Sequence, residues 1–184
     1  MLAVGGPGGS GKSTFALKLA KKLGNAVVLT LDDYKTPRAE RAAKNIFGAH
    51  PEANDIALVL EHLEALRAGR PVRKPLYCRE RGMRHLAEEV RPAGFVIAEG
   101  ETAMYEDFRT VIDFSIFIDA SLETQLNTRF TRDIPERGYS PQKAGESFTY
   151  SNLIEFREHG ACGRSRADIL LVCGKDYSLS FGEK

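Results

Sequence analysis

Cysteine is scarce in this chain, and so are net charge and long apolar runs; each shortage removes a class of function. Among 184 residues only Cys78, Cys162 and Cys173 carry thiols, an odd number and widely spaced. No C-x-x-C pair and no Cys/His cluster with zinc spacing occurs, so neither a disulfide framework nor a structural metal is indicated. Reduced, intracellular thiols are expected. Lys and Arg number 26 against 25 Asp and Glu, a net charge of +1, which gives no general attraction to nucleic acid or to a membrane surface. No apolar run approaches the length that spans a bilayer, and no basic stretch followed by an apolar region marks a secretory signal. The expectation is a cytoplasmic protein with no nucleic-acid partner and no membrane.

What is present suits one ordinary domain over residues 1–184, with 42% apolar and 28% charged residues. A short apolar stretch, Leu2 to Val4, runs straight into glycines. Lys12 to Leu23 reads as a helix, with Phe15, Leu19 and Leu23 at helical spacing and Gly24 as its stop. Strands are expected at 26–31, 95–98, 111–118 and 169–172, all apolar on both faces. Helices are expected from an Asn54 cap to about Ala68, from a Ser121 cap to about Thr131, and from Ser140-Pro141 to about Glu158. Residues 70–91 are basic, contain Pro71 and Pro75, and read as an irregular surface hairpin. Buried-type strands alternating with helices predict an α/β fold, a parallel sheet covered by helices on both faces.

Gly6-Pro7-Gly8-Gly9-Ser10-Gly11-Lys12-Ser13 satisfies G-x-x-x-x-G-K-[ST] in full. Glycines let successive backbone N–H groups turn inward toward phosphate oxygens. The helix that follows offers its unpaired N-terminal donors and dipole to the same anion. Lys12 supplies a full charge to the β- and γ-phosphates, and the Ser13 hydroxyl suits Mg²⁺. Two further strands end on acids, one on Asp32-Asp33 and one on Glu99. Ligands of such sheets sit beyond the carboxyl ends of the strands. There a carboxylate can hold Mg²⁺ or accept the proton of an attacking hydroxyl, although turn and cap roles are an alternative. Arg129, Arg132 and Arg137 cluster around a helix end; they can clamp a phosphate or form a solvated face.

Taken in order, these segments resemble the uridine kinase/phosphoribulokinase family of P-loop kinases. The resemblance rests on the GGPGGSGKST loop, Leu31-Asp32-Asp33-Tyr34, His50-Pro51-Glu52-Ala53, Ala68-Gly69-Arg70-Pro71-Val72, Pro75-x-Tyr77 and Phe95 to Gly100. It rests above all on Arg129-x-x-Arg132-Asp133-Ile134-x-Glu136-Arg137-Gly138. It implies a P-loop NTPase fold whose five core strands run in the order 2-3-1-4-5, with a small hairpin and a lid over 129–139. It implies ATP and Mg²⁺ as cofactors and transfer of the γ-phosphate to an alcohol, with a nucleoside among the acceptors to consider. The nucleotide would lie on Gly8, Gly9, Ser10, Gly11, Lys12, Ser13, Thr14 and Arg137. Catalysis would fall to Lys12, Asp32, Arg129 and Arg132, the metal to Ser13, Asp32 and Glu99, and the acceptor to Asp32, Tyr77, Arg84 and Arg132. Relatives often associate, so a homo-oligomer is possible. The departures lie on the acceptor side: Ala49, Cys78, Gly82, Tyr139 and Ser147 stand where uridine kinases carry other residues, while Arg84 is kept. A regulatory ATPase and an inactive kinase-like protein are the alternatives; no N-K-x-D guanine motif supports a GTPase.

Overall fold

The computed structural model describes residues 1–183. Its elements follow in chain order as β1 (Leu2–Gly5), α1 (Lys12–Leu23), β2 (Ala26–Thr30), α2 (Arg38–Ala43), α3 (Ile56–Arg67), β3 (Val72–Cys78), β4 (Met83–Val90) and β5 (Phe95–Glu99). They continue with β6 (Phe114–Ala120), α4 (Leu122–Arg137), α5 (Pro141–Phe148), a wide helical segment Thr149–Gly160 with π-type turns, α6 (Gly163–Arg166), β7 (Ile169–Cys173) and β8 (Leu179–Phe181).

Six strands form the main sheet in the order β2-β5-β1-β6-β7-β8. The first five are parallel, and numbered among themselves they give the expected 2-3-1-4-5. The sheet has six strands rather than five because β8 adds an antiparallel edge to β7. Alternate residues explain the two covered faces. Ala3, Val96 and Ala98 pack with Leu29, Val59, Leu63 and Phe108 on the α3 side. Val4 and Ile97 point the other way, onto Ala16, Ile116 and Ile118 beside α1. Complete burial of a side chain such as Leu63 stabilises the fold by about 1.5–3 kcal/mol.

Several local expectations shift. Asp55, not Asn54, caps α3, its carboxylate accepting from the Leu58 N–H at 3.2 Å. Asn54 instead donates to the Gly48 and His50 carbonyls. The α4 helix runs on to Arg137, through Pro135, so Arg129, Arg132 and Arg137, expected in a lid, belong to a continuous helix closed by left-handed Gly138. The hairpin is more regular than expected, two long antiparallel strands with a single irregularity between Leu76 and Tyr77. Among the described residues no helix is long and apolar enough to cross a membrane.

Candidate active site

The phosphate loop connects β1, flanked on both sides by parallel strands, to the first turn of α1. Its curl depends on glycines at particular points. At Gly9, φ is +85° and a Cβ would lie 2.6 Å from the Gln125 carbonyl oxygen. At Gly6, φ is +143° and a Cβ would meet the Ile118 oxygen at 2.2 Å. Both obstacles are backbone and cannot step aside. Within the loop the Ser10 hydroxyl is buried without a hydrogen-bond partner, and the Lys12 ammonium donates to the Pro7 carbonyl at 3.2 Å.

The acids at the ends of β2 and β5 arrive beside this loop. Ser13 donates to Glu99 Oε2 at 2.9 Å. Glu99 is almost wholly buried. Burial pushes its carboxyl above the ordinary range, and Asp32 adds to this, while Lys12 and the hydroxyls of Ser13 and Thr30 pull the other way. Asp32 forms an ion pair with Lys35. Burial by itself would raise the Asp32 carboxyl, but Lys35, with Lys12 and Arg79 beyond it, outweighs burial and holds it well below the usual carboxylate range. About half of the Asp32 side chain (47%) stays exposed to the crevice.

Asp33 also borders the crevice, but its carboxylate is committed elsewhere. It accepts from the buried Lys74 ammonium at 2.6 Å and from the Tyr77 N–H at 3.0 Å, anchoring the β3–β4 hairpin. Glu88 is the second partner of Lys74, at 2.9 Å. This neutralisation is what lets a lysine sit in the interior.

The arginines of α4 converge on one carboxylate. Asp133 is fully buried and paired with Arg129 at 3.4 Å, Arg132 at 2.7 Å and Arg137 at 3.1 Å. Burial would raise its carboxyl, but the three guanidiniums together hold it below its ordinary value. Arg129 is buried as well, and its remaining donors go to Asn152 Oδ1 and, at 2.8 Å, to Ser147 Oγ. Arg132 keeps a third of its side chain exposed and commits only Nε to Asp133.

A crevice of about 990 Å³ brings together Gly8, Lys12, Ser13, Asp32, Tyr77, Glu99, Arg129, Arg132 and Arg137. Gly9, Ser10 and Gly11 shape the loop from behind, and Thr14 lies exposed on α1. Arg84 is not among the lining residues; it pairs with Asp55 at 2.8 Å. Sequence reasoning missed Lys35, Arg38, Arg41, Arg79 and Glu101, which line the same crevice. The only advance signal was spacing: Lys35 three residues beyond Asp32, Arg38 and Arg41 three apart, and Glu101 two beyond Glu99. Arg41 donates to the Tyr77 hydroxyl at 2.5 Å and lies over its ring at 5.6 Å.

A glycine-rich loop between a central parallel strand and a helix, acids ending two parallel strands, and an arginine-bearing helix beside them define a P-loop NTPase-fold domain of the kinase type. More narrowly, the chain belongs to the phosphoribulokinase/uridine kinase family, whose model matches residues 1–176. A phosphoribulokinase of Synechocystis is 34% identical over 144 residues, 76% of this chain and 43% of the relative. The chain thus spans less than half the length of that protein. A uridine kinase of Yersinia pestis is 35% identical over 187 residues, covering 95% of this chain and 87% of the relative. Among solved structures, D-glycerate 3-kinase from Cryptococcus neoformans superposes with a TM-score of 0.73 at 13% identity, over 98% of this chain and 89% of that one. That likeness concerns the fold alone.

Proposed function

We propose that this protein transfers the γ-phosphate of ATP to a hydroxyl group of a small molecule, and that the acceptor carries an anionic group. The observation that supports the reading best is the convergence of Lys12, the Ser13–Glu99 pair, Asp32 and Arg132 on one crevice. The phosphate loop and Lys12 would bind the triphosphate, and Arg132 has free donors for charge on the transferring group. Ser13 and Glu99 offer hard oxygen donors, and a buried carboxylate beside a hydroxyl fits Mg²⁺. When bound, Mg²⁺ would neutralise charge on the β- and γ-phosphates.

Asp32 would orient the acceptor hydroxyl and take its proton. Its depressed pKa makes it a weak base but keeps it ionised, which suffices where bond breaking to the leaving group runs ahead of proton transfer. The acceptor half of the crevice carries Lys35, Arg38, Arg41 and Arg79. Among the described residues the three arginines form no ion pair with a carboxylate. Guanidiniums in that state suit a phosphate or carboxylate.

An ADP-release assay with ribulose 5-phosphate, D-glycerate and uridine tests the reading. Turnover with an anionic acceptor, and weak or no turnover with uridine, is the expected result. Preference for uridine would refute the anionic acceptor. No turnover above basal hydrolysis across a broad panel of alcohols would refute the kinase itself.

A further inference from the structure

The roof of the acceptor half is residues 45–50, of which Asn45, Ile46, Phe47 and Gly48 line the crevice. This segment belongs to no strand and no helix beyond turns, so side chains from elsewhere fix its backbone. One of them is Glu155, on the helical segment 149–160. It is buried, and its Oε1 accepts the Phe47 N–H. Its Oε2 is fully buried without a hydrogen-bond partner, and the Ala49 N–H, His50 and His159 act on the carboxyl as a whole. Tyr150 of the same segment stacks on the Phe47 ring, 5.0 Å between centroids and 2° from parallel.

Three residues before Glu155, Asn152 addresses the other substrate half. Its amide nitrogen donates to the Gly8 carbonyl of the phosphate loop at 2.8 Å and to Gln125 at 2.9 Å, while its oxygen accepts from Arg129. Helical segments with π-type turns recur at functional sites, where the widened backbone re-aims side chains. What the segment 45–50 needs from this side chain is an acceptor oxygen for the Phe47 N–H.

We propose that Glu155 is a positioning residue for the acceptor, holding 45–50 from the same rod on which Asn152 holds the phosphate loop. The two substrates are thereby kept in register by one element. The acceptor part rests on the kinase reading; the mechanical part does not.

The test compares Glu155→Leu, Glu155→Gln and Asn152→Leu with the wild type. Hydrogen exchange is followed over 45–50 and over 5–12, MgADP affinity by calorimetry, and KM values with ATP and ribulose 5-phosphate. Glu155→Leu should speed exchange over 45–50 about tenfold or more and raise the acceptor KM about tenfold, as expected for a part-buried N–H left without its partner. Exchange over 5–12 and MgADP affinity should stay at wild-type values. Glu155→Gln, which can still accept from Phe47, should restore the acceptor KM. Asn152→Leu should do the converse, weakening MgADP about tenfold. Equal acceleration of both segments in Glu155→Leu, equal rises in both KM values, or unchanged exchange over 45–50 would overturn the proposal. If no acceptor is turned over by the wild type, the kinase reading falls, while exchange and MgADP binding still decide the mechanical claim.

Discussion

Asp32 and Asp33 are adjacent in sequence and should fail in opposite ways. In Asp33→Asn, the buried Lys74 loses the closer of its two carboxylates and keeps Glu88, half of whose side chain is exposed. Breaking a buried pair from one side typically costs about 3–5 kcal/mol. Because Glu88 remains and Asn can still accept from Tyr77, about 2–3 kcal/mol is the reasonable figure here. For a domain of this size each kcal/mol moves Tm by about 2–4 °C, so a fall of roughly 4–12 °C follows, with kcat of the folded fraction little changed. In Asp32→Asn, the amide oxygen can still accept from Lys35, and the side chain is half exposed, so Tm should move by no more than about 3 °C. The group proposed to receive the acceptor's proton is gone, however, and kcat should drop about 10²–10⁴-fold. Differential scanning fluorimetry and ADP release on the same preparations give both numbers. The division of roles is refuted if Asp33→Asn loses turnover at unchanged Tm, or if Asp32→Asn keeps more than about a tenth of wild-type kcat.

Other outcomes follow from the same geometry. Arg129→Lys cannot reproduce three directed bonds to Asp133, Asn152 and Ser147, so it should lower Tm by several degrees, whereas Arg132→Lys should lower kcat about tenfold or more at nearly unchanged Tm. Gly9→Ala sets a methyl group against the Gln125 carbonyl at a left-handed φ; nucleotide affinity by calorimetry should fall at least about tenfold. Asp133 has a folded-state pKa below its ordinary 3.8, so its stabilisation is present above about pH 3.8 and is lost as pH falls through the lower folded value. Denaturant midpoints of wild type and Asp133→Asn should therefore differ most near neutrality and converge in acid; a gap that widens below pH 3.8 would contradict the arginine-held carboxylate.

The phosphate loop and the parallel core were legible because each is written in a local pattern, glycines at fixed offsets and strands apolar on both faces. The extra strand β8 was not, since its three residues are all exposed and Leu-Ser-Phe is too short to establish an alternation. Nor was α2, a short charged helix with no buried residue. Lys74 looked like part of a basic surface excursion, and only tertiary structure shows it neutralised by Asp33 and Glu88. The arginine cluster was visible, but its centre was not: the buried Asp133 consumes much of the donor capacity that the spacing alone would assign to phosphate. Likewise Lys35 and Arg38 reach the crevice through a turn and a helix that periodicity does not mark.

The neighbours of β1 also bear on how the molecule is made. Leu2 to Val4 pair with residues 97–99 on one side and Leu2 to Gly5 with 114–117 on the other, so β1 gains its second neighbour only when β6 has emerged. At about 5–20 residues per second that wait is roughly 6–24 s. During translation the glycine-rich turn therefore stays open, and the nascent chain gains its capacity to hold a nucleotide only after β6 has left the ribosome.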